Sequence, residues 1–203
     1  MQAGEMSMRG QLGVRVIRAP GPGAAWRLSN ALRWPFVSGW LANRAARAVS
    51  ALTGVPTMTA ELRAVLIRAD GSRVNYGLLS SRVVTTAFVN FVVDQLQTET
   101  SVFGDFKWHD SGVGATAENV ANTAMETTDG ESRVSGTQTE GAANVYVSVG
   151  TISYTTTKAI TEHGMFNDVS AGTLMDRSVF SAVNVVNGDS IQFSYSLSVN
   201  SGG

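Results

Sequence analysis

The sequence predicts a mainly β protein: an antiparallel, jelly-roll-like β-sandwich with one or two helices, preceded by an extended N-terminal arm. Three observations carry that reading. Glycine occurs 21 times in 203 residues, amid frequent Ser, Thr, Asn and Val, a balance that suits short strands joined by many turns. From residue 103 onward, apolar segments recur at short, regular distances between Gly, Asn, Asp and Ser, the spacing of an antiparallel sandwich. Near the C-terminus, Ile191, Phe193, Tyr195, Leu197 and Val199 alternate with polar residues, so one face of that strand belongs in a core and the other in solvent.

Composition sets further bounds. A hydrophobic content of 43% fits a globular chain with one good core, and no window reaches the uninterrupted apolar length of a membrane span. There is no cysteine, which excludes disulfides, thiolate nucleophiles and cysteine-ligated metal centres. The net charge of −1 hides an asymmetry. Residues 1–57 carry seven arginines against Glu5 alone, a net +6, whereas residues 58–203 carry eight basic against fifteen acidic groups, a net −7. A basic arm on an acidic body points to an acidic neighbour, protein or nucleic acid. An Arg-rich, acid-poor start also resembles a transit peptide in composition, although no small-residue cleavage site follows a clean apolar region. A natural start at Met58 is a further reading.

The elements follow in order. Residues 1–36 hold Pro20, Pro22 and Pro35 and no sustained period, and read as the extended part of the arm. The run at 37–52 is Ala-rich, with Trp40, Leu41, Ala45, Ala48, Val49 and Leu52 at helical spacing and Gly54 as a stop, which predicts a short amphipathic helix. Residues 60–76 read as a hairpin around the tight-turn dipeptide Asp70-Gly71. Val84, Phe88, Phe91, Val92 and Leu96 are spaced for one face of a helix over about 84–98, with Thr85 or Thr86 as N-cap. The sandwich itself spans 103–203, with candidate strands at 103–110, 132–139, 143–157, 159–166, 173–180 and 189–200. The segment 114–127 reads as a polar, Ala-rich connection with room for a helical turn.

Within the first candidate strand, KWHDSGVG (107–114) places His109, Asp110 and Ser111 side by side. These are the residue types of a hydrolytic triad, but neighbouring side chains on a strand point to opposite faces, so the three cannot form one. The Gly-x-Ser-x-Gly elbow is also missing, because the residue two before Ser111 is His109. His109-Asp110 and Glu162-His163 form two acid–histidine pairs on different strands, a metal pattern with too few ligands and without zinc spacing. The plainer expectation places both histidines at strand ends, held by local hydrogen bonds. Gly112-Val113-Gly114 lacks the third glycine and the βαβ setting of a dinucleotide fingerprint, and reads as a turn with positive φ.

In the arm, the residues expected to contact a partner are Trp26, Trp34, Trp40, Arg27, Arg33 and Arg44. The arginines are scattered and no nucleic-acid module surrounds them. An arm laid across a neighbouring subunit accounts for both the arginines and the tryptophans; phosphate binding accounts only for the arginines.

The stretch AITEHGMFNDVSAGTLMDRSVFSAVNVVNGDSIQFSYSLSV (159–199) resembles a C-terminal module of virion proteins of tailed bacteriophages. Its marks are an I-T-E-x-G-[LM]-F strand, L-x-x-R-S-V-F after a Gly-rich turn, and a closing N-x-x-x-G-D-x-I-x-F-x-Y strand. FGDFKWHDSGVGATAEN (103–119) with SRVSGTQTEG (132–141) is similar to the front half of the same module. The resemblance covers about residues 58–203. It implies a structural virion component, not an enzyme, with no cofactor and no catalytic or metal-binding residue. It points to a capsid decoration (cement) protein on the capsid surface, made in the host cytoplasm and contacting the major capsid protein as a homo-oligomer, with a trimer favoured. The alternatives are a tail or baseplate adaptor, or a receptor-binding tail-fibre domain. More remote is a hydrolase or metal enzyme built on His109 and His163. Inside this reading, Glu162 would pair with Arg177 across neighbouring strands, and Gly164 would permit a bulge or a close backbone approach.

Overall fold

The computed structural model describes residues 44, 45, 48, 49, 52–54, 56–81, 84–97 and 105–200. From residue 57 on, the described residues form nine strands and one helix, in the order β1 (Thr57–Ile67), β2 (Arg73–Ser80), α1 (Thr86–Gln97), β3 (Trp108–Gly112), β4 (Val134–Ser135), β5 (Thr137–Ala142), β6 (Val145–Ser153), β7 (Lys158–Phe166), β8 (Leu174–Val185) and β9 (Ser190–Asn200). They form a five-stranded sheet in the order β2-β1-β9-β6-β5 and a four-stranded sheet in the order β4-β3-β7-β8. Every pairing is antiparallel. The two sheets pack face to face as a β-sandwich, as the composition and turn spacing predict.

The centre of the five-stranded sheet is the long pairing of β1 with β9, in register from Thr57↔Asn200 to Ile67↔Ser190. Period-two alternation drives it. Leu62, Leu66, Ile191, Phe193 and Tyr195 point inward and are buried, joined by Ile152, Ile160, Met165 and Val183 from the strands opposite or alongside. At roughly 25 cal/mol per Å² of apolar surface removed from water, this inner layer is the main source of stability. Its rim is stapled where Asp189 accepts the Ala69 N–H at 3.0 Å and the Val186 N–H at 3.0 Å, and pairs with Arg68 at 2.6 Å. That one carboxylate ties the β1–β2 turn to the β8–β9 turn.

Several elements differ from their sequence expectation for local reasons. The hairpin is longer than 60–76, and Gly71 at φ 81° makes its turn. The candidate strand at 132–139 is two strands in different sheets. It breaks at Gly136, whose N–H donates to the Lys107 carbonyl at 2.7 Å. A side chain at Gly136 would sit 2.6 Å from His109 Nε2, so the chain can cross between sheets there only as glycine. The segment 114–127 contains no helical turn; it lies as an irregular cover on the outer face of the four-stranded sheet.

Helix α1 starts where Thr85 caps it: the Thr85 hydroxyl accepts the Phe88 N–H at 3.2 Å and donates to the Leu174 carbonyl at 2.5 Å. Phe88 and Phe91 then meet Phe106 edge-on at 4.9 and 5.1 Å. Leu96 is not part of that packed face; it is 81% exposed. Arg44, Ala45, Ala48, Val49, Leu52 and Thr53 are helical, and Gly54 follows at φ 71°. The remainder of the 37–52 prediction lies outside the described residues. No helix among the described residues is long and apolar enough to cross a membrane.

Candidate functional site

The four-stranded sheet carries buried polar groups on both faces, and the pleat of β3 separates them. His109 and Ser111 point inward, toward the other sheet; Asp110 and Gly112 point outward. His109 is in the body of β3, opposite Met165, and His163 is in the body of β7, opposite Ser111. Neither is at a strand end, because both fill the apolar phase of their strand and stand inside the sandwich with no exposed surface.

The two histidines meet. His109 Nδ1 lies 3.0 Å from His163 Nε2, and His109 Nε2 lies 2.8 Å from the Ser148 hydroxyl on β6. His163 Nδ1 has no partner. These contacts fix the cheapest proton placement. With a proton on each Nε2, His163 donates to His109, His109 donates to Ser148, and the orphan Nδ1 is a bare lone pair. The opposite placement would bury an unpaired N–H. Burial pushes His109 down to about 4 and His163 well below the ordinary histidine value of 6.5, with the neighbouring His109 adding to the effect on His163. Room for the rings comes from glycine: a Cβ on Gly150 would lie 2.5 Å from His109 Cδ2. Phe193 closes the other side, 4.6 Å from the His163 ring.

Other polar groups share this interior. Asp176 on β8 accepts the Ser178 hydroxyl at 2.8 Å, and burial pushes its carboxyl up to about 7. Its Oδ2 and the Tyr195 hydroxyl are unpartnered. Ser111 is not aligned with His109. Its hydroxyl donates to Asp129 at 2.5 Å and accepts from Tyr154 at 3.1 Å.

The outer face holds a charged centre. Glu162 has no exposed surface, yet its carboxylate receives four donors. Gly114 N–H and Thr127 N–H reach Oε1 at 3.1 and 2.8 Å; Glu126 N–H and Arg177 Nε reach Oε2 at 3.2 and 2.7 Å. The structure thus brings Glu162 and Arg177 together on neighbouring strands. Arg177 is saturated further by Glu126 at 3.0 Å and Asn122 at 3.3 Å. Gly112 and Gly114 do not have positive φ. They are glycine because a Cβ on either would lie 2.6 or 2.5 Å from Glu162 Oε1. Gly164 serves the same kind of close approach, with Met125 Sδ 2.5 Å from where its Cβ would be. Beside this centre, Asp110 pairs with Arg133 at 3.0 Å, and Arg133 lies 3.4 Å over the Phe166 ring while donating to the Asp168 and Ala171 carbonyls at 3.0 and 2.6 Å.

A catalytic base must lie within hydrogen-bond reach of a substrate proton, and His109 and His163 face only protein. Among the described residues no group of three or more His, Asp or Glu side chains is arranged to hold a metal. Of the expected partner-contact residues, Arg44 is helical and exposed; Trp26, Arg27, Arg33, Trp34 and Trp40 lie outside the described residues. A surface pocket of about 540 Å³ sits at the β5–β6 turn, lined among others by Gln138, Asn144, Tyr146 and Val199. Ser148, Tyr154 and Asp129 belong to no motif of the sequence, and Asp176 lies inside the L-x-x-R-S-V-F segment, whose pattern assigns it no partner. Ser148 and Asp176 had a signal, since each is a polar residue in the inward phase of an alternating strand. No protein-family model and no curated protein matches the chain.

Proposed function

We propose that this chain is a structural virion protein of a tailed phage, a capsid decoration protein that binds and stabilises the shell of the major capsid protein as a homo-oligomer, with a trimer favoured. One observation carries the reading. The residues that make the resemblance are the framework of the sandwich: Ile160–Phe166 lie within β7, Leu174–Phe180 within β8, and Asn184–Tyr195 span the end of β8, the β8–β9 turn and the first half of β9. Glu162 and Arg177, two of the three charged positions of that pattern, pin the 114–127 cover onto the sheet. A chain whose acid–base groups are spent on internal bracing suits a mechanical role. In that role the sandwich is a rigid block, and the basic arm with Trp26, Trp34 and Trp40 grips an acidic neighbour. The assignment requires no cofactor and no catalytic residue.

Purified particles test this by copy number and by resistance to heat. Decoration predicts many copies per particle and a lower disruption temperature once the protein is stripped away. A few copies confined to the tail would overturn it in favour of a tail adaptor or receptor-binding domain, the reading that the pocket beside Tyr146 favours.

A further inference from the structure

Strand β5 buries nothing. All six of its residues are exposed, so its pairing along β6 adds no core and extends the five-stranded sheet into solvent. What the strand does make is a wall. The pocket of about 540 Å³ lies against β5, the β5–β6 turn and the end of β9, and its volume is in the range of small-molecule sites. A register shift between Glu140 and Ala142 bulges β5 there, the local device by which a sheet edge re-aims its side chains. The turn itself is tied down: Val199 N–H donates to the Asn144 carbonyl at 2.9 Å, and Asn144 Nδ2 donates to the Val199 carbonyl at 3.2 Å. On the β6 side, the Tyr146 hydroxyl donates to the Phe106 carbonyl and accepts from Gln138 Nε2 at 3.1 Å. These bonds shape the pocket before a ligand arrives, which lowers the ordering cost of binding.

The chemistry of the lining is one-sided. The Tyr146 hydroxyl, Gln138 Nε2 and Asn144 Nδ2 are each engaged as donors within the chain. The Glu140 carboxylate is the one charge in the lining, and among the described residues it has no hydrogen-bond or ion-pair partner. Beside it lies apolar surface from Ala142, Val145 and Val199, the last 41% exposed. A free acceptor next to small apolar surface suits a ligand with hydroxyl donors on its edge and C–H groups on its face. We propose that this pocket binds a neutral saccharide, with Glu140 selecting for neighbouring hydroxyls and Val199 underlying the ring. Two adjacent hydroxyls can donate to the two carboxylate oxygens together, a charge-assisted pair. An organic cation gains less there, because an exposed ion pair in water is worth little. An anionic sugar is repelled by Glu140 and by the net −7 of residues 58–203. The site belongs to the isolated chain and does not depend on its place in a particle, although display in many copies would multiply a weak affinity.

Amide chemical shifts of the full nitrogen-15-labelled chain test this during titration with a panel of neutral hexoses, N-acetylhexosamines and their disaccharides. Glucuronate and ethylammonium serve as the anionic and cationic comparisons. The proposal predicts saturable shifts at Glu140, Asn144, Tyr146 and Val199 with at least one neutral sugar, at a dissociation constant of about 1 mM, the level of a small exposed site. No shift with any neutral sugar up to about 50 mM, or shifts confined to other parts of the chain, would overturn it. Glucuronate or ethylammonium binding at these residues as tightly as the best sugar would overturn it as well. Glu140→Gln keeps the side-chain size and removes the charge. Because the carboxylate holds nothing within the described residues, the melting temperature should not change, while sugar affinity falls about fivefold or more. Unaltered affinity in that variant would remove Glu140 from the site and the proposal with it. None of these outcomes bears on copy number, so the decoration reading and the saccharide site fail separately.

Discussion

The two faces of the four-stranded sheet solve the burial of polar groups in opposite ways. On the outer face the groups are charged and fully served: Glu162 has four donors, and Arg177 meets two carboxylates and an amide. On the inner face they are neutral or held neutral by burial, and three atoms there (His163 Nδ1, Asp176 Oδ2 and the Tyr195 hydroxyl) have no partner. A buried charge without partners costs far more than a buried neutral group. The complete donor set therefore goes to Glu162, while the imidazoles tolerate an orphan nitrogen. The contrast also separates sensitivities. The outer centre is vulnerable to losing a partner, and the inner one to gaining a proton.

The largest effect should come from breaking the outer centre. Arg177→Ala leaves the Glu162 carboxylate buried with backbone donors alone, and urea unfolding should show a loss of about 3–5 kcal/mol. The double change Glu162→Leu/Arg177→Met removes both charges and should cost markedly less than the sum of its parts. Additive costs would remove the basis for treating the pair as one unit.

Acid should come next, acting on the inner face. In the unfolded chain both imidazoles take up protons below about 6.5, whereas in the fold His109 resists to about 4 and burial likewise holds His163 well below 6.5. The unfolded state thus binds more protons, so this part of the stability is complete above about pH 6.5 and lost as pH falls toward 4. His109 alone contributes about 3 kcal/mol over that window. Asp176 works in the other direction. Its folded value of about 7 against 3.8 unfolded means that its share is lost as pH rises. Two histidines against one aspartate leave a net acid instability. In His163→Leu the acid limb should be shallower by about one proton, or about 1.4 kcal/mol per pH unit. An unchanged limb would mean that His163 is not neutral in the fold.

Packing around the same rings gives a smaller effect. Gly150→Ala drives a methyl to within 2.5 Å of His109 Cδ2 and should cost about 1–3 kcal/mol by thermal melting. Smallest is Tyr154→Phe, which removes one donor to Ser111 and should cost about 1 kcal/mol. A larger loss there would show that the Ser111–Asp129 contact depends on Tyr154.

Strand alternation made the sandwich legible, and it separated His109 from Asp110 and Ser111 before any coordinates. Pattern stopped being informative where distant segments touch. The break at Gly136 is invisible in a run of residues, because what forbids a side chain there is the His109 ring from another strand. Gly112 and Gly114 looked like turn residues for the same reason: the atom they avoid is Glu162 Oε1, 48 positions beyond Gly114 in the contact they share. The histidine contact spans 54 positions, and an acid–histidine pair on each of two strands hinted at it without fixing it. The positions in the arm that drew attention for their tryptophans, other than Arg44 nearby, lie outside the described residues.

The claim that this chain's acid–base groups brace the fold is tested most directly by nitrogen-15 NMR of the two histidine rings at about pH 5.5, a unit below an ordinary midpoint. The account predicts that both rings are neutral, each protonated on Nε2, with the His163 Nε2 proton protected from exchange and coupled to His109 Nδ1. A ring that titrates near 6.5, or an exchangeable proton on His163 Nδ1, would contradict it and return His109 and His163 to the list of groups free to do chemistry.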